Sequence, residues 1–130
     1  MHHVAITVHD LAASLAFYAG FGFEKEAQRE LWAGELTLTA LAGPHGRLEL
    51  FSSTRPVLAS GHMGSLRSDL CQVGAKHFAL QVSDLTSEME RLRSGGTEIE
   101  GDPASSGLGF DYVFVRDPSG NWIELVETKH

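Results

Sequence analysis

Two histidines and two glutamates occupy matched places in this chain of 130 residues. His3 opens the stretch HVAITVHDL and His77 opens HFALQVSDL, an offset of 74 residues. Glu49 lies in PHGRLEL and Glu124 in PSGNWIEL, an offset of 75 after one inserted residue. Neutral imidazoles mixed with carboxylates suit Zn, Ni, Co, Fe or Mn and disfavour a thiolate-seeking ion. Two carboxylates, two neutral imidazoles and one divalent cation also sum to zero charge. The four residues therefore read as ligands to one divalent metal ion, with room left for water or substrate oxygens.

Such a set needs elements that bring it together, and the repeat supplies them. At the offset of 74, Ala5, Val8, Asp10 and Leu11 fall on Ala79, Val82, Asp84 and Leu85. Leu11, Leu15 and Tyr18 follow one face of a helix, and Leu85, Met89 and Leu92 repeat it. Asp10 and Asp84 stand where N-caps belong, and glycines in AGFG and SGG close both helices. Each half thus reads as strand, helix and three strands, a βαβββ module. The predicted strands are 2–8, 21–27, 35–42 and 47–53, then 76–83, 97–102, 110–116 and 121–127. The whole, 1–130, is one domain of two modules, about 1–53 and 76–130. A linker, 54–75, is punctuated by Pro56, Gly61, Gly64 and Gly74.

Alternate residues of a strand share a face. Val4, Ile6 and Val8 make an apolar face for the helix, which sends His3, Ala5 and Thr7 to the other side. His77, Ala79 and Gln81 behave alike, as do Glu49 with Phe51 and Glu124 with Trp122 and Val126. The DPSG loop at 117–120, with Pro118 at its second position and a left-handed Gly120, predicts Phe114 opposite Glu124 and Tyr112 opposite Val126. A carboxylate among aromatics is costly unless it is paired or coordinating. Phe51, Tyr112, Phe114 and Trp122 are accordingly the expected substrate-binding wall.

Other features exclude alternatives. The net charge of −7 argues against a nucleic-acid partner. No apolar run reaches the roughly 18 residues of a membrane span, and the N-terminus lacks signal-peptide anatomy, so a cytoplasmic location is expected. Cys71 has no second cysteine to pair with and reads as an inert thiol. Phe17 and Tyr18 belong to the first helix as core or interface residues; His45, His62 and His130 fall in turns, loops or the tail. His2 competes with His3 only if the first strand slips by one residue, which would turn Val4 inward.

HHVAITVHDLAASLAFY, KHFALQVSDL and DPSGNWIELVE resemble the recognisable segments of the vicinal oxygen chelate superfamily, also called the glyoxalase/bleomycin-resistance/dioxygenase family. The resemblance implies an α+β fold in which two tandem βαβββ modules form an eight-stranded open barrel, with metal and substrate in its concavity. It places His3, Glu49, His77 and Glu124 on the four ligand positions of glyoxalase I. Bleomycin-sequestering members generally lack the metal set, and extradiol dioxygenases and fosfomycin-resistance enzymes lack a ligand at the place of Glu49. Methylmalonyl-CoA epimerase, like glyoxalase I, fills all four. The linker offers no segment specific for glutathione or coenzyme A.

The intact pattern implies a glyoxalase I-like lyase or isomerase that moves a proton next to a metal-bound carbonyl. Glu124, among Phe114, Trp122 and Val126, is the first choice of base; Glu49 is the alternative or the partner base. Two other functions compete. One is a protein that sequesters an aromatic drug or other small molecule without chemistry; the other is an Fe(II) extradiol-type dioxygenase. The resemblance also implies a homodimer, in which modules pair within or between chains.

Overall fold

The computed structural model describes residues 1–58 and 64–129. His62, Gly61 and His130 lie outside them. The chain divides into two compact units, Met1–Ala59 and Ser60–His130, and the boundary falls inside the 54–75 segment.

In the first unit the order is β1 (Val4–Val8), α1 (Leu11–Ala19), β2 (Glu24–Leu31), a short turn of 3-10 helix (Trp32–Gly34), β3 (Leu36–Gly43) and β4 (Gly46–Ser53). The second unit adds α2 (Leu66–Leu70) and then repeats the plan: β5 (Phe78–Gln81), α3 (Leu85–Ser94), β6 (Ile99–Ser105), β7 (Phe110–Arg116) and β8 (Trp122–Thr128). Each unit holds one four-stranded sheet, ordered β1-β4-β3-β2 and β5-β8-β7-β6. The α+β class and the tandem βαβββ plan are thus as the repeat predicts. The first strand of each unit runs parallel to the last, which the intervening helix makes possible; the remaining pairs are antiparallel.

One face of each sheet carries the core. Val8, Leu41, Leu48 and Leu50 are buried in the first unit, together with Tyr18 of α1. Leu80, Val113, Val115, Ile123 and Leu125 are buried in the second, with Leu85, Met89 and Leu92 of α3. Both helices begin on the predicted caps. The Asp10 carboxylate accepts from the Ala13 backbone N–H at 3.0 Å, and Asp84 accepts from that of Ser87 at 2.9 Å. The α3 terminus gains a second acceptor, because Glu127 of β8 takes the Leu85 N–H at 2.7 Å.

Asp84 makes a pH prediction. The backbone N–H and then the hydroxyl of Ser87 bind its ionised form, so its carboxyl titrates below the usual range. A depressed folded-state pKa stabilises the fold above the unfolded value and loses that contribution as pH falls through the folded one. Asp84→Asn keeps a cap without the charge. Its melting temperature is expected slightly below wild type at pH 7, with the gap closing in acid. A gap constant down to pH 2 would contradict the assignment.

Several element boundaries differ from expectation. The second strand starts at Glu24 and not at 21, because Phe21–Phe23 complete the helix end. The N–H of Phe23 bonds to the Tyr18 carbonyl at 3.1 Å, and Gly22 takes φ +84°. It then runs on to Leu31, since the hairpin turns only at Trp32–Gly34. The sixth strand, expected at 97–102, is Ile99–Ser105 and passes through Pro103. It is the sheet edge, where a missing N–H is tolerated, and its register shifts between Glu100 and Ala104. The 54–75 segment also contains a helix, α2, whose Ser65 N-cap hydroxyl accepts from the Ser68 N–H at 3.1 Å.

Candidate functional site

The first and fifth strands, expected from residues 2 and 76, begin at Val4 and Phe78, so both predicted histidines stand just before a strand. Regular pairing begins at Val4↔Leu48 and Phe78↔Ile123. The histidines keep the predicted face all the same. Ala5 pairs with Glu49, and Ala79 pairs with Glu124. His3 and His77 lie two residues earlier, on the side the alanines share. A methyl group leaves the lane along the sheet open, so each imidazole reaches forward to the carboxylate. Nε2 of His3 lies 3.2 Å from a carboxylate oxygen of Glu49, and Nε2 of His77 lies 3.2 Å from one of Glu124.

The structure therefore brings His3 to Glu49 in one unit and His77 to Glu124 in the other. Among the described residues no group of three or more His, Cys, Asp or Glu side chains is arranged to hold a metal ion.

The two pairs share a distance but not an environment. The His3 and Glu49 side chains are 36% and 25% exposed; those of His77 and Glu124 are 24% and 14%. The antiparallel neighbours account for much of this. Glu49 faces Ala40 and Phe51 faces Leu38 on β3. Glu124 faces Phe114 and Val126 faces Tyr112 on β7, the register predicted from the DPSG loop. Phe114 meets His77 edge-on, with ring centroids 4.8 Å apart, and it also meets Tyr112 at 5.8 Å and Trp122 at 6.4 Å. Of the four expected wall residues, Tyr112, Phe114 and Trp122 cluster around the second pair. Phe51 stands alone of the four on β4, half-buried.

Two positioning residues escaped the sequence reading. Asp117 builds the DPSG loop: one carboxylate oxygen accepts from the Ser119 and Asn121 backbone N–H groups, both at 2.9 Å. The other takes the Asn121 side-chain amide at 3.0 Å. The signal was available, because Asp is favoured at the first position of such a turn. Arg116 stacks its guanidinium 3.8 Å from the centre of Trp122 and donates to the carbonyls of Gly120 and Gly64, at 2.8 and 2.7 Å. It so ties the 54–75 segment to the β7–β8 hairpin. Nothing in the sequence marks that contact.

Duplicated βαβββ units, each delivering one imidazole–carboxylate pair from its first and last strands, identify the lineage. The Glyoxalase/Bleomycin resistance protein/Dioxygenase family model matches residues 1–125. The chain belongs to this superfamily. Among curated relatives it is 33% identical over 129 residues to a probable lactoylglutathione lyase of Synechocystis sp., covering 97% of this chain and 93% of that protein. It is 32% identical over 133 residues to the uncharacterized protein YaeR of Escherichia coli, covering 98% and 95%. Among solved superfamily structures, a glyoxalase family protein from Bacillus cereus superposes with a TM-score of 0.82 at 22% identity, over 100% of this chain and 94% of that one. This last likeness is one of fold. No helix among the described residues is long and apolar enough to cross a membrane.

Proposed function

We propose that this superfamily member is a metal-dependent enzyme of glyoxalase I type, isomerising a small substrate with a hydroxyl next to a carbonyl. The observation that carries the reading is the recurrence of one geometry: an imidazole Nε2 3.2 Å from a carboxylate oxygen in both units. Two donors each about 2.0–2.1 Å from a shared ion at a tetrahedral angle are separated by about 3.3 Å. Both pairs therefore fit as ligand pairs, and His3, Glu49, His77 and Glu124 would together hold one divalent ion. The set is completed within one chain or between the chains of a homodimer, the assembly proposed here. The relation to the probable lactoylglutathione lyase supports the chemistry.

When bound, the ion supplies Lewis acidity that makes a C–H beside a carbonyl removable. The chain supplies the rest. His3 and His77 contribute neutral nitrogens, so the two glutamates balance the charge of the ion. A Glu124 oxygen takes the proton from the substrate carbon and returns it to the neighbouring carbon, with Glu49 as the alternative or partner base. Phe114 and Trp122 limit water around Glu124, which keeps the proton from exchanging away. Phe51 and Tyr112 offer apolar and aromatic surface to the rest of the substrate.

The edge-to-face cluster of Tyr112, Phe114 and Trp122 favours a second reading, retention of an aromatic molecule without chemistry. The imidazole–carboxylate pairs weigh against it, since stacking has no use for them. A ring-cleaving Fe(II) dioxygenase is the third reading, and the pairing of Glu49 with His3 exceeds its usual two-His, one-carboxylate need.

Metal analysis of protein purified without an affinity metal, followed by assay of methylglyoxal hemithioacetals formed with several thiols, tests the proposal. Bound metal at about one ion per expected site, with isomerisation of at least one hemithioacetal, is the expected result. Absence of metal with tight aromatic-ligand binding would establish sequestration instead. Oxygen consumption with a catechol would establish the dioxygenase.

A further inference from the structure

We infer that His2 is a positioning residue, one that fixes the His3 ring so that its Nε2 faces Glu49. The sequence offers His2 only as a rival to His3. The structure puts the two in contact: their Nδ1 atoms are 2.9 Å apart, and the rings meet edge to face with centroids at 5.2 Å. Two lone pairs cannot bond, so one Nδ1 carries the hydrogen and the other accepts it. Both nitrogens of His3 are then committed, Nδ1 to His2 and Nε2 to Glu49 at 3.2 Å. Rotating the ring breaks both contacts at once.

The arrangement serves either state of the pair. Facing the bare Glu49 carboxylate, which only accepts, Nε2 of His3 holds the hydrogen and Nδ1 accepts from His2. Facing a cation, Nε2 must be bare, and the hydrogen sits on His3 Nδ1, which donates to His2. Going from one state to the other, His3 Nε2 gives a proton to water. The shared proton crosses from His2 to His3, and His2 Nε2 takes one from water. No net proton is gained or lost, and no nitrogen of His3 is left without a partner.

The second unit holds its imidazole by other means. The repeat places Lys76 where His2 stands, and the Lys76 ammonium donates to the Asp69 carbonyl at 2.8 Å. There Phe114 braces His77 from the side. The first unit has Ala40 at the corresponding place on β3, and its imidazole is the more exposed of the two. His2 does by hydrogen bonding what Phe114 does by packing.

The inference rests on the proposed function only in taking His3 as a metal ligand. Partners that orient a ligating histidine typically contribute about 10–100-fold to metal affinity. Zinc titration by calorimetry on the full chain, free of any histidine tag, should therefore show about 10–100-fold weaker binding in His2→Ala. Lys76→Ala should match wild type, and His3→Ala should lose the site. In zinc-free protein with isotope-labelled histidine, a scalar coupling across the hydrogen bond should link the two Nδ1 atoms, and His2→Ala should abolish it. Zinc binding unchanged in His2→Ala, or no coupling in wild type, overturns the inference. A wild-type chain that shows the coupling but binds no zinc refutes the metal reading and leaves the His2–His3 bond upheld.

Discussion

Under the proposed mechanism, replacing Glu124 with Gln is expected to lower hemithioacetal turnover by about 10²–10⁴-fold, the usual contribution of a positioned general base. The substitution is isosteric and keeps a carbonyl oxygen to ligate a cation, while it removes the carboxylate's charge and with it the basic oxygen. Much of the zinc is therefore expected to stay bound, with folding stability near wild type, while the rate collapses. Glu49→Gln is the informative companion. Glu49 faces the small Ala40 and is the more exposed carboxylate, whereas Glu124 is packed against Phe114. If Glu49→Gln is the slower variant, the two glutamates exchange roles; if neither slows the reaction, the proton-transfer mechanism is wrong.

Leu125→Ala is the prediction with the largest effect on stability. Leu125 is fully buried, and its strand position pairs with Leu80 on one side and Val113 on the other. Truncating a buried leucine leaves a cavity and costs about 2–5 kcal/mol. The urea midpoint should fall accordingly without a change in slope. The contrast with Glu124→Gln is the point, since the two residues are adjacent on β8 and face opposite sides of the sheet. One substitution should remove stability and the other rate. A Leu125→Ala protein within about 1 kcal/mol of wild type would mean that this face is not the core.

That two-sidedness is also why so much could be read without a structure. Period 2 in a strand assigns each residue to a face from its neighbours, and His3, Glu49, His77 and Glu124 came out opposite the apolar positions in both halves. Duplication gave a second, independent reading of every element. The Asp10 and Asp84 caps and the Phe114↔Glu124 register were legible because they depend on residues close in sequence or joined by a short loop of recognisable chemistry.

Other features depended on contacts between distant residues. Where β2 and β6 begin depends on how the chain leaves each helix: Phe23 and Thr97 first bond back to the Tyr18 and Leu92 carbonyls, at 3.1 and 2.9 Å. The grip of Arg116 on Gly64 spans 52 residues and has no local signature. The role of His2 was equally hidden, since strand alternation sends neighbouring side chains to opposite faces. Only the start of β1 at Val4 frees both rings to meet. Residue types and their spacing thus determined the fold and the identity of the four candidate ligands. Tertiary structure decided how each is held: Ala5 and Ala79 clear the approach, His2 or Phe114 steadies the ring, and unequal packing distinguishes Glu124 from Glu49. A side chain's partners are set by distance in space, which sequence separation does not encode.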